Sequence, residues 1–212
     1  MNTTRTEKNP RSIVRKMRPA LLALLIGLSI TSFAWLAAAR GGGATHIRWD
    51  LVHLIGTVLS AGGSDSAGAA DGSQITLTGS GIFLSTPSGS APQATDGGGT
   101  WEAFDKSGAS IGSGTYEVTG LVSFVNAGPN GVPTLTDEIG SYLDARGGLL
   151  VLKIRYSDGD PGVLTVSCHG PANVPDTVFE GITVTKGFVG YVDRGKPVAG
   201  VDANRTIFHV LR

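Results

Sequence analysis

From residue 41 onward the apolar residues come in short runs, each closed off by Gly, Asp or Pro. Runs of that length are short for helices, and that punctuation suits strands joined by turns. Gly supplies 32 of the 212 residues, about twice its ordinary share. The segments 46–59, 74–84, 100–105, 110–126, 149–157, 162–168, 178–192 and 205–211 are the predicted strands. Alternation is clearest in Ile75 and Leu77 against Thr76 and Thr78, in Leu164, Val166 and Cys168, and in Ile207 and His209 against Phe208 and Val210. A period of two buries one face of a strand and leaves the other wetter. The run 110–126 is long enough to bend or bulge.

The turn chemistry agrees. Asp158-Gly159-Asp160-Pro161 lies between two apolar runs. Asp-Gly supplies the positive φ of a tight hairpin, and Pro161 does not belong inside a central strand. Asp105-Lys106-Ser107-Gly108 joins the next pair in the same way. Leu135–Ala145 is the one predicted helix: Leu135, Ile139, Tyr142 and Leu143 fall at i, i+4, i+7 and i+8, with Thr136 as N-cap. The fold class expected is all-β, an antiparallel barrel of about eight strands with one short helix; a two-sheet sandwich is the alternative. The glycine content favours the barrel, because sharply coiled strands place Gly at their bends.

Two stretches read as loops. Residues 60–73, SAGGSDSAGAADGS, are small and polar, and 85–99, STPSGSAPQATDGGG, are similar. Residues 41–73 are then a first strand and a Gly/Ser-rich loop, and 74–212 the β-domain, to which 46–59 adds a strand.

Residues 1–40 are of another kind. A polar, basic flank precedes ALLALLIGLSITSFAWLAAA, residues 20–39, which carry no charge. At 1.5 Å per residue this is a helix of about 30 Å, the thickness of a bilayer core. Lys and Arg hold the flank on the cytoplasmic side, so the rest of the chain is expected to be exported. Ala37-Ala38-Ala39 has the form of a cleavage site, which favours a removed signal peptide. The length of the apolar stretch favours a retained membrane anchor. Both outcomes stand: a secreted domain, or one held to the membrane through residues 20–39.

Charge narrows the partners. Lys plus Arg and Asp plus Glu number 17 each. Residues 1–40 hold seven of the bases and only one acid, Glu7, so 41–212 keeps 10 bases and 16 acids, a net charge of −6. That argues against a nucleic-acid-binding body.

Motifs for catalysis or metal are weak. Gly108-Ala109-Ser110-Ile111-Gly112 matches the G-x-S-x-G of a nucleophile elbow. The elbow needs a helix after the serine, and 113–119 reads as strand. The histidines, His46, His53, His169 and His209, show no metal-ligand spacing. Cys168 and His169 are adjacent, so in a strand they face opposite ways, and Cys168 reads as a small buried apolar residue. Asp158-Gly159-Asp160 lacks the further oxygens of a calcium loop. Asn204-Arg205-Thr206 is a glycosylation sequon. No cofactor and no metal is called for.

The aromatic strand residues remain. Trp101 follows Gly97-Gly98-Gly99 and is expected to cap the core or to wall a ligand site at the barrel mouth. Trp101, Tyr116, His53 and His209 are the candidate ligand-binding residues. Gly99-Thr100-Trp101 resembles the G-x-W string near the first strand of lipocalins. The strings GGGTWEAFD, GSGTYEVTGLVSF, VLTVSCHG, VFEGITVTKGF and GVDANRTIFHV resemble those of exported β-rich bacterial proteins that carry no assigned activity. That resemblance implies one exported β-domain and no particular mechanism. Two functions are expected: a non-catalytic β-domain binding a small apolar ligand or a cell-envelope component, or a small barrel enzyme, a cyclase or isomerase working by confinement.

Overall fold

Leu150, Leu152, Ile154 and Tyr156 are buried at alternate positions of one twelve-residue strand, and that strand is shared by the two halves of the architecture. The computed structural model describes residues 44–86, 95–169, 179–194 and 204–212. All belong to one unit, Gly42–Arg212. Among the described residues thirteen strands follow in order: β1 Thr45–Ile55, β2 Val58–Ala61, β3 Ser64–Ala69, β4 Gln74–Thr78, β5 Ser80–Ser85, β6 Thr95–Phe104, β7 Ser110–Pro129, β8 Thr136–Asp137, β9 Ala145–Tyr156, β10 Pro161–Cys168, β11 Gly181–Lys186, β12 Val189–Arg194 and β13 Thr206–Val210. The all-β expectation holds, with more strands than the eight or so expected.

The pairings close a ring. β9, β10, β11, β12, β3, β4, β6 and β7 pair in that order, each antiparallel to the next, and β7 returns to β9. A second circuit runs β1, β5, β6, β7, β9, β13 and back to β1. The two circuits share β6, β7 and β9. Along one edge of β9, β10 stops opposite Gly148 and β13 takes over at Arg146 and Ala145. Strand β7 follows the other edge from Tyr116 to Pro129 through three register shifts, between Val118 and Gly120, Leu121 and Ser123, and Asn126 and Gly128. These bulges are the bends expected of so long a run.

Alternation of direction around the ring puts four hairpin turns at one end: 70–73, 105–109, 157–160 and 187–188. Gly72, Gly108, Gly159 and Gly187 adopt positive φ, one in each turn, as tight turns require. The side chain of Asp105 accepts from the backbone of Ser107 and Ala109 and so fixes its own turn.

A corner of glycines lets the sheet pass from one circuit to the other. Strand β6 pairs with β5 through Gly97 and Gly98 and with β4 from Trp101 onward. At the changeover a Cβ on Gly99 would lie 1.9 Å from the Thr78 carbonyl oxygen, and one on Gly79 would lie 2.1 Å from the Tyr116 hydroxyl. Only glycine allows that approach.

The core spans both circuits. Within the eight-strand ring, Ile75, Leu77, Leu152, Leu164, Val166 and Ile182 are fully buried. Trp101 meets Tyr156 edge to face at 5.5 Å. In the second circuit Phe124 touches Phe83 at 4.8 Å and Phe208 at 5.1 Å, both edge on. Such pairs add about 0.5–1.5 kcal/mol each beyond burial.

Three expectations are corrected. Residues 60–73 are not a loop throughout: Ser64–Ala69 forms β3, with Asp65, Ser66 and Ala67 buried. Small side chains let this strand close the ring against β4 and β12. Residues 95–99 likewise belong to β6, and 87–94 lie outside the described residues. The predicted helix at Leu135–Ala145 is replaced by turns and the two-residue β8, which pairs parallel with β2. Asp137 Oδ1 accepts from Ile139 N and Gly140 N, each at 3.0 Å, and so bends the chain locally. Tyr142 and Leu143, the far end of the expected stripe, are exposed.

The apolar segment 20–39 lies outside the described residues. Among the described residues no helix is long and apolar enough to cross a membrane.

Candidate functional site

At the end of the ring opposite the hairpin turns, the last residues of β10 and the first of β13 converge beside β2 and the 130–145 segment. A half-open cleft of about 170 Å³ lies between them. Its apolar side is Leu54, Leu59, Val132, Leu135 and Ile207, and its polar side includes Asn130, His169, Glu180, Arg205 and Thr206.

Glu180 organises the polar side. Gly181 follows it at φ +120, a conformation open to glycine, and this turns β11 away while the carboxyl stays inside. Glu180 Oε2 accepts from His169 N at the end of β10, and Oε1 accepts from Thr206 N at 2.7 Å at the start of β13. The side chain therefore staples two strands that do not follow each other in the chain. Thr206 has one hydroxyl proton, and the Ser167 carbonyl at 2.7 Å takes it. Thr206 Oγ1 also lies 3.3 Å from Glu180 Oε1, a longer contact that shares the same hydroxyl proton. Burial pushes the Glu180 pKa up to about 7, against the opposing pull of the backbone donors and Arg205.

Cys168 lies 1% exposed in the same wall, and Asn130 Nδ2 donates to its Sγ at 3.0 Å. Burial, and secondarily the charge of Glu180, holds the thiol well above its ordinary pKa. It is a poor nucleophile, in keeping with its reading as a small buried residue. Two polar atoms of the wall, Asn130 Oδ1 and His169 Nδ1, are shut off from solvent with no hydrogen-bond partner.

The cleft borders a second buried pair. His209 Nε2 meets Asp137 Oδ2 at 2.7 Å, with the two side chains 2% and 7% exposed. Gly140 packs on the imidazole so closely that a Cβ there would lie 2.7 Å from Cδ2.

The four candidate residues fall into different places. Trp101 and Tyr116 sit on neighbouring strands β6 and β7, 5% and 4% exposed. Both pack against Tyr156, and Tyr116 donates its hydroxyl to the Thr78 carbonyl at 2.9 Å. Lys186 Nζ lies 4.5 Å above the Trp101 ring and is held there by Asp158 and Asp160. The arrangement is that of a covered cap. The Asp158-Gly159-Asp160 acids thus serve the turn and this lysine. Burial raises the pKa of Tyr116 and Tyr156 beyond their ordinary range. His209 is the partner of Asp137 just described. His53, on β1 opposite Ser60 of β2, is half-buried with its Nδ1 shut off and unpartnered.

Sequence reasoning missed Glu180 and Asn130. Glu180 sits in the predicted strand 178–192, where a single acid carries no pattern. The sequon residue Asn204 is 3% exposed, and its Oδ1 accepts from Ser66 N at 2.7 Å. That side chain is committed to the fold. Ser110 begins β7 at the hairpin-turn end, with no helix after it. Among the described residues no group of three His, Cys, Asp or Glu side chains is placed to hold a metal ion. No family model, curated protein or solved structure matches the chain.

Proposed function

We propose that this chain is an exported, non-catalytic β-domain, an eight-stranded barrel with a second strand circuit fused to it, and that it binds a small apolar ligand in the cleft beside Glu180. The observation that carries this reading is the contrast between the two ends. The hairpin end of the ring is filled by Trp101 and Tyr156 under Lys186, with Tyr116 packed on Tyr156 behind them. The other end opens a cleft with an aliphatic side. Ligand sites are concave and mostly apolar with a few polar groups, and the cleft has that composition. Export rests on the basic flank and uncharged stretch of residues 1–39.

A second reading, a barrel enzyme of cyclase or isomerase type, draws on Glu180, a buried carboxyl with a pKa near 7 in the cleft wall. Against it, both carboxyl oxygens already accept backbone hydrogen bonds.

The test is ligand-observed NMR of toluene against the full chain and against Leu135→Trp, which fills the cleft from a half-buried position. Saturable toluene binding that Leu135→Trp abolishes supports the reading, and binding unaffected by the substitution overturns it. Export is tested separately by fusing residues 1–60 to a reporter active only outside the cytoplasm. A reporter that stays silent removes the exported part of the proposal.

A further inference from the structure

Resting on the cleft as the binding site, a second question is what head group its ligand carries. The charged groups of the wall are largely answered from within. Asp137 gives Oδ2 to His209 and Oδ1 to two backbone amides. Glu180 is bracketed by His169 N and Thr206 N, and the Thr206 hydroxyl goes to the Ser167 carbonyl. What the wall leaves unmatched is neutral: Asn130 Oδ1, an acceptor, and His169 Nδ1, a donor or an acceptor by tautomer. A buried polar atom without a partner costs about 1–3 kcal/mol, and native proteins rarely leave one so. Two in one wall point to a partner with matching chemistry.

Size sets the other limit. The cleft offers about 170 Å³, and an engineered apolar cavity of about 150 Å³ admits benzene. A long acyl chain does not fit such a space, whereas a single ring or a short branched chain does.

We propose that the cleft takes a compact neutral alcohol or phenol, its apolar body against Leu54, Leu59, Val132 and Leu135 and its hydroxyl toward Asn130 and His169. A hydroxyl brings one donor for Asn130 Oδ1 and two lone pairs for an imidazole N–H. A carboxylate brings no donor to Asn130 Oδ1. Neither orphan atom reaches solvent as the wall stands, so the hydroxyl engages them through a rotation of the Asn130 amide or the His169 ring. A turn of the imidazole leaves the bond to Glu180 in place, because that bond is made by the backbone of His169 and not by its ring.

The experiment compares phenol with toluene, two probes of nearly equal size, by titration calorimetry on the full chain, on Asn130→Leu and on His169→Phe. Asn130→Leu keeps the shape of the side chain and removes its polarity. Phenol is expected to bind about three- to tenfold more tightly than toluene, the worth of one net hydrogen bond. Asn130→Leu or His169→Phe is expected to erase that preference, and circular dichroism with the sheet spectrum of the parent reports that each variant is folded. Equal binding of the two probes, or a preference that survives both substitutions, overturns the hydroxyl assignment and leaves the cleft reading intact. Binding of neither probe overturns the cleft reading and this inference with it.

Discussion

His209 and Asp137 stand 72 positions apart in the chain and form a buried pair at 2.7 Å. The pair fastens the irregular 131–144 segment to β13, since Asp137 also receives the amides of Ile139 and Gly140. This largely irregular segment, which forms a wall of the cleft, is held against the core by that pair together with the pairing of β8 with β2 and the bond from Val210 N to the Asp144 carbonyl.

Removing the imidazole should loosen that wall. His209→Ala leaves Asp137 Oδ2 buried without its partner and is expected to cost about 2–3 kcal/mol. Hydrogen exchange at Ile139 and Gly140 should accelerate with it. Protection unchanged from the parent protein would show that the segment is held by other contacts.

Trp101 is the substitution with the largest expected effect at the hairpin end. Its ring is 5% exposed, packs edge-on against Tyr156 and is covered by Lys186. Trp101→Ala should cost about 3–5 kcal/mol in denaturant unfolding. Against a domain stability of about 5–15 kcal/mol this is a large fraction. A loss below about 1 kcal/mol would reject the capping role.

Stability should fall as pH rises through the range set by Glu180. Its pKa is about 7 in the fold against an ordinary 4.5. Between those values the folded chain holds more protons than the unfolded one, so each step up in pH favours unfolding. The contribution is complete below pH 4.5 and lost by about pH 7, and amounts to about 3 kcal/mol at most. Urea unfolding of the parent and of Glu180→Gln from pH 4.5 to 8 checks this. The downward trend should flatten in the variant, and parallel curves would contradict the assignment.

Two glycines should answer differently to alanine. At Gly99 the new Cβ would meet the Thr78 carbonyl oxygen at 1.9 Å, and backbone cannot yield cheaply. Gly99→Ala should therefore cost more than about 4 kcal/mol or prevent folding. Gly108 has φ +84 and open space around it, so Gly108→Ala should cost only about 1–2 kcal/mol of backbone strain. Melting temperatures of the two variants make the comparison. Equal shifts would mean that the corner between the strand circuits relaxes.

The sequence by itself determined where most strands run, because period-two alternation and Asp-Gly turns are local signals. Leu164, Val166 and Cys168 read as one buried face and are one, and the Asp158-Gly159 hairpin forms where the residues place it. The tertiary structure alone decided three further things. Ser64–Ala69 became a strand because β4 and β12 offered it two edges, a pairing that its own small residues do not announce. Leu135–Ala145 lost its helix because Asp137 found His209 across the fold and capped its own turn. Glu180 became the centre of the cleft because Gly181 turns the chain just where the end of β10 and the start of β13 arrive. Each depends on groups brought together from distant parts of the chain, and no local pattern encodes such a meeting.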